Sequence, residues 1–68
     1  MLKTTTIAKN IKKYRKDKGL SQDKLARLAD VAHATIIKIE SGRIQSPTID
    51  TVQKIAKALG IGLEDLMK

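Results

Sequence analysis

The sequence predicts an all-α fold, a compact domain of five short helices. Apolar residues recur at the three- and four-residue spacing of a helix, and no stretch shows the sustained alternation of a half-buried strand. Glycines and small polar residues separate the apolar stripes, where they can end one helix or begin the next. At 68 residues the chain has the length of one small domain, which we expect over residues 1–68.

The first two helices are predicted on either side of a glycine. The first runs from about residue 5 to residue 18, and Gly19 then supplies the left-handed conformation with which many helices end. The second begins after Ser21, a good N-cap, and carries Asp23 in its first turn. The stripe of the first helix contains Ile7, Ile11 and Tyr14, and the buried face of the second contains Leu25, Leu28 and Ala29.

The third helix is predicted over about residues 33–40, after a break of three residues. Asp30 opens this break where a left-handed residue is required, a conformation that Asp tolerates better than most residues. Gly42 ends the helix, which buries Ile36 and Ile39.

The fourth helix is predicted between Thr48, its N-cap, and Gly60. Its apolar stripe contains Val52, Ile55, Ala56 and Leu59. A fifth helix of one or two turns follows Gly62, with Leu63 and Leu66 facing inward.

The charge is strongly positive and unevenly distributed. Fourteen Lys and Arg residues oppose seven Asp and Glu, which gives a net charge of +7. Residues 1–20 carry +6 of it, residues 21–43 carry +1, and residues 44–68 are neutral. Nucleic acid or another polyanion is therefore the first partner to consider. We expect Lys9, Lys12 and Lys13 to attract a phosphate backbone without regard to its sequence.

Composition also excludes several classes of protein. Without Cys the chain can form neither a disulfide scaffold nor a zinc ribbon. One His and few acidic residues cannot supply a catalytic triad or a three-ligand metal site, so we expect no enzyme, metal or cofactor, and no small-molecule ligand is evident. No apolar run reaches the roughly 20 residues of a membrane span, and no signal peptide is evident. We expect a cytoplasmic protein that begins at Met1 and has no membrane partner.

The second and third helices have the spacing of a helix-turn-helix, over about residues 21–41. The break between them is short, and Ala26 and Ala29 are small enough to let the two helices cross closely. An ordinary helical hairpin has the same spacing, so the spacing alone leaves both interpretations open.

Short motifs over about residues 7–67 favour the first interpretation. They are Gly19-Leu20-Ser21-Gln22, Leu25-Ala26, Val31, Thr35-Ile36, Ile39-Glu40, Gly42, Pro47, Ile55-Ala56-Lys57-Ala58-Leu59-Gly60 and Leu63-Glu64-Asp65-Leu66. Together they resemble the phage-repressor and Cro-type helix-turn-helix family, also called Xre-like. The resemblance implies a lambda-repressor-like DNA-binding domain that acts as a sequence-specific transcriptional regulator on double-stranded DNA. In that family the second helix of the motif lies in the major groove.

The resemblance places base reading on one face of the third helix. This face contains His33, Ala34, Ile37 and Lys38. Lys38 can donate to guanine, and His33 can bond a base edge or a phosphate. Ile37 can cover a thymine methyl group, although a single exposed aliphatic side chain needs no such explanation.

Contacts to phosphate are implied for a second set of residues: Gln22, Thr35, Arg43, Gln45, Ser46 and Thr48. Gln22 stands at a helix start, where anions are favoured. Thr35 can equally bond within its own helix. Arg43 is the strongest candidate of the 43–48 loop because it adds charge.

Other family features concern stability. The resemblance suggests that Arg15 and Glu40 form a structural ion pair rather than contacting DNA. Ala32 stands where the family commonly has a Ser or Thr cap, and Asp30 stands where glycine is usual.

One motif this small reads few base pairs, so we expect a homodimer on a pseudo-palindromic operator, acting as a repressor. Ile61, Leu63 and Met67 are candidates for the dimer interface, or else they close the core. An alternative function is that of an antitoxin or other protein-interaction module, because the fold does not decide the partner.

Overall fold

The computed structural model describes residues 5–68, and these residues form five helices. The helices are α1 (Thr6–Asp17), α2 (Gln22–Ala29), α3 (His33–Glu40), α4 (Ile49–Leu59) and α5 (Leu63–Met67). They pack into a body of 29 × 23 × 22 Å. The predicted all-α fold of five helices is confirmed over this part of the chain. Lys3, one of the basic residues counted above, lies outside it.

Three of the described helices begin with a side-chain cap. Thr5, Ser21 and Thr48 have extended backbones, and their hydroxyl oxygens accept backbone N–H bonds of 3.0–3.2 Å from the first turns of α1, α2 and α4. Helix α3 begins at Ala32, whose side chain cannot accept a hydrogen bond. The first turn of α3 therefore lacks a contribution of about 1 kcal/mol that a Ser or Thr would make there.

Helices α1, α2 and α4 end in the same hydrogen-bonded turn. Gly19, Asp30 and Gly60 adopt left-handed backbones, with φ of 68°, 58° and 72°. The N–H of the next residue then bonds at 3.0 Å to the carbonyl five residues earlier, which is the Schellman pattern. The residues that donate these bonds are apolar, and all three pack against the core: Leu20, Val31 and Ile61. Each turn thus ends a helix and packs a partly buried apolar side chain against the core.

The core is formed by aliphatic side chains from all five helices. Helix α2 packs between α3 and α4, while α1 packs against α3, α4 and α5. The large side chains that are fully buried are Ile11, Leu25, Ile36, Ile39, Val52, Ile55, Leu59 and Leu66. Because α3 contributes Ile36 and Ile39, one side of this helix is fixed to the core and the other is left to solvent.

The prediction for Leu28 is wrong. We expected it on the buried face of α2, and the structure leaves it 62% exposed. Leu25, Ala26 and Ala29 occupy the core side of α2 instead. At roughly 100° per residue, Leu28 lies about 100° away from the midline of those three, too far round the helix to reach the core.

None of the helices in residues 5–68 is both long enough and apolar enough to cross a bilayer.

Candidate nucleic-acid interface

Helix α3 presents one exposed row of side chains. His33, Ala34, Ile37 and Lys38 are all exposed, and Ile37 retains 42% of its surface. The other face carries buried Ile36, Ile39 and Glu40. The row thus coincides with the face expected to read bases, and its residues are free of core packing.

Arg15 and Glu40 hold α3 against α1. The Arg15 guanidinium donates from Nε to Glu40 Oε2 at 2.8 Å and from Nη2 to Oε1 at 3.0 Å. Its Nη1 donates to the carbonyl of Leu20 at 2.9 Å. Glu40 is 3% exposed, yet both of its oxygens accept hydrogen bonds. The buried carboxylate is therefore fully paired with Arg15, and this ion pair fixes the end of α3 in place.

The same carboxylate holds Gln22, the first residue of α2. Gln22 Nε2 donates to Glu40 Oε1 at 3.1 Å. This bond uses one of the two N–H groups of the amide and leaves the other available. The side chain is therefore held at the start of α2 with a donor to spare, next to backbone N–H groups that favour an anion.

The 41–48 loop is attached to the end of α3. The N–H of Ile44 donates to the carbonyl of Lys38 at 3.0 Å, and the Ile44 side chain packs against the core. Gly42, with φ of 86°, turns the chain between them. The exposed residues of the loop include Arg43, Gln45 and Ser46. Their side chains are thus presented from an anchored backbone beside α3.

Of the residues expected to contact phosphate, one is already hydrogen-bonded and another is half-buried. Thr48 is exposed, but its hydroxyl accepts from the N–H of Thr51 at 3.2 Å and bonds the Thr51 hydroxyl at 3.0 Å. A phosphate would have to compete with the Thr51 hydroxyl for the proton of Thr48. Thr35 is half-buried, because it lies between the exposed row and the core side of α3.

Ser41 extends the exposed row and was missed in the sequence. It caps α3, is exposed, and donates from its hydroxyl to the carbonyl of Lys38 at 3.1 Å. The signal was present, because Ser41 follows Ile37 and His33 at intervals of four residues. By contrast, the Gln22–Glu40 hydrogen bond joins residues 18 positions apart, so no pattern within one helix predicts it.

The lysines of α1 lie on its outer side. Lys9 and Lys13 are exposed, and Lys12 is half-exposed. The Lys13 ammonium lies 5.8 Å from the centroid of the Tyr14 ring, within the range of a weak cation–π contact. These side chains are available to a polyanion, but they stand on a different helix from the exposed row of α3.

Comparison with known proteins decides the family. A family model described as helix-turn-helix matches residues 11–66. The chain belongs to this family. The Cro-type resemblance is thereby confirmed, and so is the helix-turn-helix formed by α2 and α3.

Two curated members of the helix-turn-helix family are similar over most of this chain. The HTH-type transcriptional regulator PuuR of Escherichia coli (strain K12) is 37% identical over 57 residues, which cover 84% of this chain and 30% of PuuR. The HTH-type transcriptional regulator SinR of Bacillus subtilis (strain 168) is 34% identical over 61 residues, covering 90% of this chain and 55% of SinR. The chain therefore spans less than two-thirds of either relative.

Solved structures of SinR share the fold. The N-terminal DNA-binding domain of SinR from Bacillus subtilis matches with a TM-score of 0.88 at 34% identity, over 91% of this chain and 90% of that domain. SinR in complex with DNA matches with the same score and identity, over 91% and 98% of the two chains. A complex of SinR with the SinI protein matches with a TM-score of 0.87 at 34% identity, over 91% of this chain and 60% of the other.

The three candidates for a dimer interface or for closing the core differ in exposure. Ile61 and Leu63 are partly buried and pack against the core. Met67, at the end of α5, is 52% exposed. Closing the core thus accounts for much of the first two side chains, and Met67 is the one with most surface left to offer a second copy.

Proposed function

We propose that this chain is a sequence-specific transcriptional regulator that binds double-stranded DNA with α3 in the major groove. The observation that carries the proposal is the exposed row His33, Ala34, Ile37 and Lys38 on a helix whose opposite face is built into the core. A helix so fixed can present its side chains to base edges in one orientation. The solved complex of SinR with DNA, at 34% identity, supports the same use of the fold.

The row combines a positive charge with an apolar side chain. Lys38 supplies a donor for guanine O6 or N7, and His33 can donate or accept at its end of the helix. Ile37 offers an aliphatic surface to the methyl group of thymine. Because the row carries few charges, sequence specificity in this proposal depends on the shape and hydrogen-bonding groups of each exposed side chain.

Phosphate contacts fix the register of α3 in the groove. Gln22 offers the amide N–H that Glu40 does not use, together with the N-terminus of α2. Arg43, Gln45 and Ser46 offer a second set from the loop that is anchored at the end of α3. Such contacts carry little sequence information, but they position the groups that do.

The regulator is proposed to act as a homodimeric repressor that occludes a pseudo-palindromic operator. One copy of α3 covers only a few base pairs, and a two-fold dimer doubles the site at half-site spacings of about 34 Å. Met67, with Ile61 and Leu63 beside it, is the proposed contact between copies. Sedimentation over a dilution series into the nanomolar range tests an obligate dimer, since a folded monomer of about 7.5 kDa at every concentration would contradict one.

Selection from a random duplex library tests the proposal most directly. The wild-type chain is expected to enrich one palindromic consensus. Lys38→Ala is expected to relax preference at one base position per half-site, at a cost of about 1–3 kcal/mol on the preferred site. Lys68→Ala, which removes an exposed lysine at the far end of the chain, is the matched control and should keep the consensus. Equal recovery of all sequences by the wild-type chain would refute specific readout.

A protein-interaction role is the second candidate, because SinR has been solved bound to the SinI protein. In that case duplex selection yields no consensus, and Lys38→Ala and Lys68→Ala change nonspecific DNA affinity equally.

A further inference from the structure

Two shallow depressions meet at Leu28, on a part of the surface that the proposed DNA contacts do not use. One lies between α2 and α4 and includes Lys54, Lys57 and Ala58, and the other lies along α2 beside Leu20 and includes Lys24 and Arg27. We name the two together the α2–α4 groove, which has an apolar centre at Leu28 with basic side chains around it.

The centre of the groove is Leu28. Its side chain is 62% exposed, the largest value for a large apolar residue among residues 5–68. Half-buried Ala58 lies across from it on α4, and half-buried Leu20 lies beside it. An exposed leucine that sits over a depression offers apolar surface to a partner, unlike one that projects alone into water.

The rim of the groove is positively charged. Arg27 bonds Asp23 at 3.2 Å and Lys54 bonds Asp50 at 3.5 Å, so two of the four basic groups are partly compensated. Over the described residues 5–68, neither Lys24 nor Lys57 has a carboxylate within 4.0 Å. Asp30 is the acidic member of the lining.

The lining of the α2–α4 groove includes no residue of α3. Helix α2 packs on both α3 and α4, and the depression that contains Lys54, Lys57 and Ala58 opens beside α4. A phosphate backbone has no apolar group with which to cover Leu28. DNA binding therefore does not explain why an exposed leucine and two lysines without a carboxylate partner lie together on this surface.

We propose that the α2–α4 groove is a docking surface for an acidic, amphipathic helical segment of a partner protein. An aliphatic side chain of the partner covers Leu28 and Ala58, and its carboxylates approach Lys24 and Lys57. Charge complementarity selects this occupant over a second copy placed groove to groove, because the same basic side chains would then face one another.

The test uses a synthetic peptide of about 14 residues, roughly 21 Å long as a helix, which suits the 22–29 Å extents of the domain. Leucine forms one face of the peptide and glutamate the rest. Titration into the ¹⁵N-labelled chain is expected to shift the amides of α2 and of the second half of α4, with a Kd of about 10–100 μM at low salt. A peptide with lysine in place of glutamate should not bind.

Four variants assign the binding to the groove. Leu28→Gln should weaken it at least about fivefold, while Ile49→Gln, at a residue 59% exposed on the same helix pair, should leave it unchanged. The double variant Lys24→Glu, Lys57→Glu should weaken it about tenfold. Its control, Lys16→Glu with Lys68→Glu, changes the net charge equally and should weaken it much less. All six positions are exposed, so a native ¹⁵N spectrum is expected in each case.

Three results would overturn the proposal. One is no binding of the acidic peptide, or shifts centred on α3 or α1. Another is self-association of the free chain that Leu28→Gln abolishes, which would make the groove a contact between copies. The third is a loss of DNA affinity in the Lys24, Lys57 variant well beyond that of the Lys16, Lys68 control, which would assign the lysines to phosphate.

Discussion

Asp30 is the non-glycine residue with a left-handed backbone in residues 5–68, at φ 58° and ψ 46°. It also places a negative charge at the C-terminus of α2, where the helix dipole favours a positive one. The position is strained on both counts, although Asp pays less for this backbone than most residues.

Asp30→Gly is expected to raise the free energy of unfolding by about 1 kcal/mol, because glycine adopts this backbone without steric cost. Urea denaturation monitored by circular dichroism measures it. Asp30→Asn removes the charge and keeps a residue that tolerates the conformation, so it isolates the electrostatic part. If both variants gain equally, backbone strain at this position contributes nothing.

Ile37 gives a residue-scale prediction for DNA. If it covers a thymine methyl group, replacing that thymine by uracil in the selected operator should lower the affinity by about 0.8 kcal/mol, the value of one buried methyl group. In Ile37→Ala the same replacement should have almost no effect. Fluorescence anisotropy on the four combinations gives the coupling directly, and parallel losses in both proteins would leave Ile37 as a simple exposed aliphatic residue.

At the scale of elements, Arg15 and Glu40 join α1 to α3. Removal of either partner is expected to cost about 3 kcal/mol, since the other charge is stranded in a desolvated position. Arg15→Met combined with Glu40→Leu should cost clearly less than the sum of the single changes, by about 1–3 kcal/mol. Denaturant melts of the four proteins provide the cycle.

The exposed pair Arg27–Asp23 is the matched control for that cycle, with 79% and 47% of the two side chains exposed. Its coupling should stay below about 0.5 kcal/mol. Strictly additive losses at Arg15 and Glu40 would remove the ion pair from the account of how α3 is held.

The helices could be predicted from the sequence because the residues that begin and end a helix lie within one turn of its ends. Ser21 and Thr48 were recognised as caps, and Asp30 was recognised as a left-handed residue, from side chains within one turn of each end. Leu28 has the three- and four-residue spacing of one helical face with Leu25 and Ala29, but α2 packs with Ala26 rather than Leu28 turned toward the core. In so short a helix, spacing alone is compatible with more than one apolar face, and only the tertiary packing decides which face is buried.

The exposed residues of the candidate site could be predicted from the sequence, but the hydrogen bonds that hold its helices in place could not. Helical spacing separates His33, Ile37 and Lys38 from the core residues of α3, and the structure separates them in the same way. The bond from Gln22 to Glu40 depends on how α2 meets the end of α3. Such a contact follows from tertiary packing, which no pattern within one segment contains.

At the scale of the whole molecule, charge and readout occupy different helices. Most of the +7 belongs to residues 1–20, whereas the row on α3 carries Lys38 and otherwise uncharged or weakly basic groups. Attraction and discrimination should therefore respond to different substitutions.

The double variant Lys9→Ala, Lys12→Ala is expected to reduce the slope of log affinity against log salt by up to about 2. Each lysine that neutralises a phosphate displaces a counterion from DNA, so binding by the variant releases fewer counterions. The preferred sequence should not change. Anisotropy titrations at several salt concentrations measure the slope, and repeated selection checks the consensus. A shifted consensus would mean that α1 takes part in reading the sequence.

The two faces of α3 also bear on how such a protein can change over generations. Substitutions at His33, Ala34, Ile37 and Lys38 touch neither the buried isoleucines nor Glu40, so they leave the folded state close to its original stability. A population of these chains can then move from one operator to another through folded intermediates, one exposed residue at a time. The same separation lets an engineer exchange the row for another while the rest of the domain serves as an unchanged support.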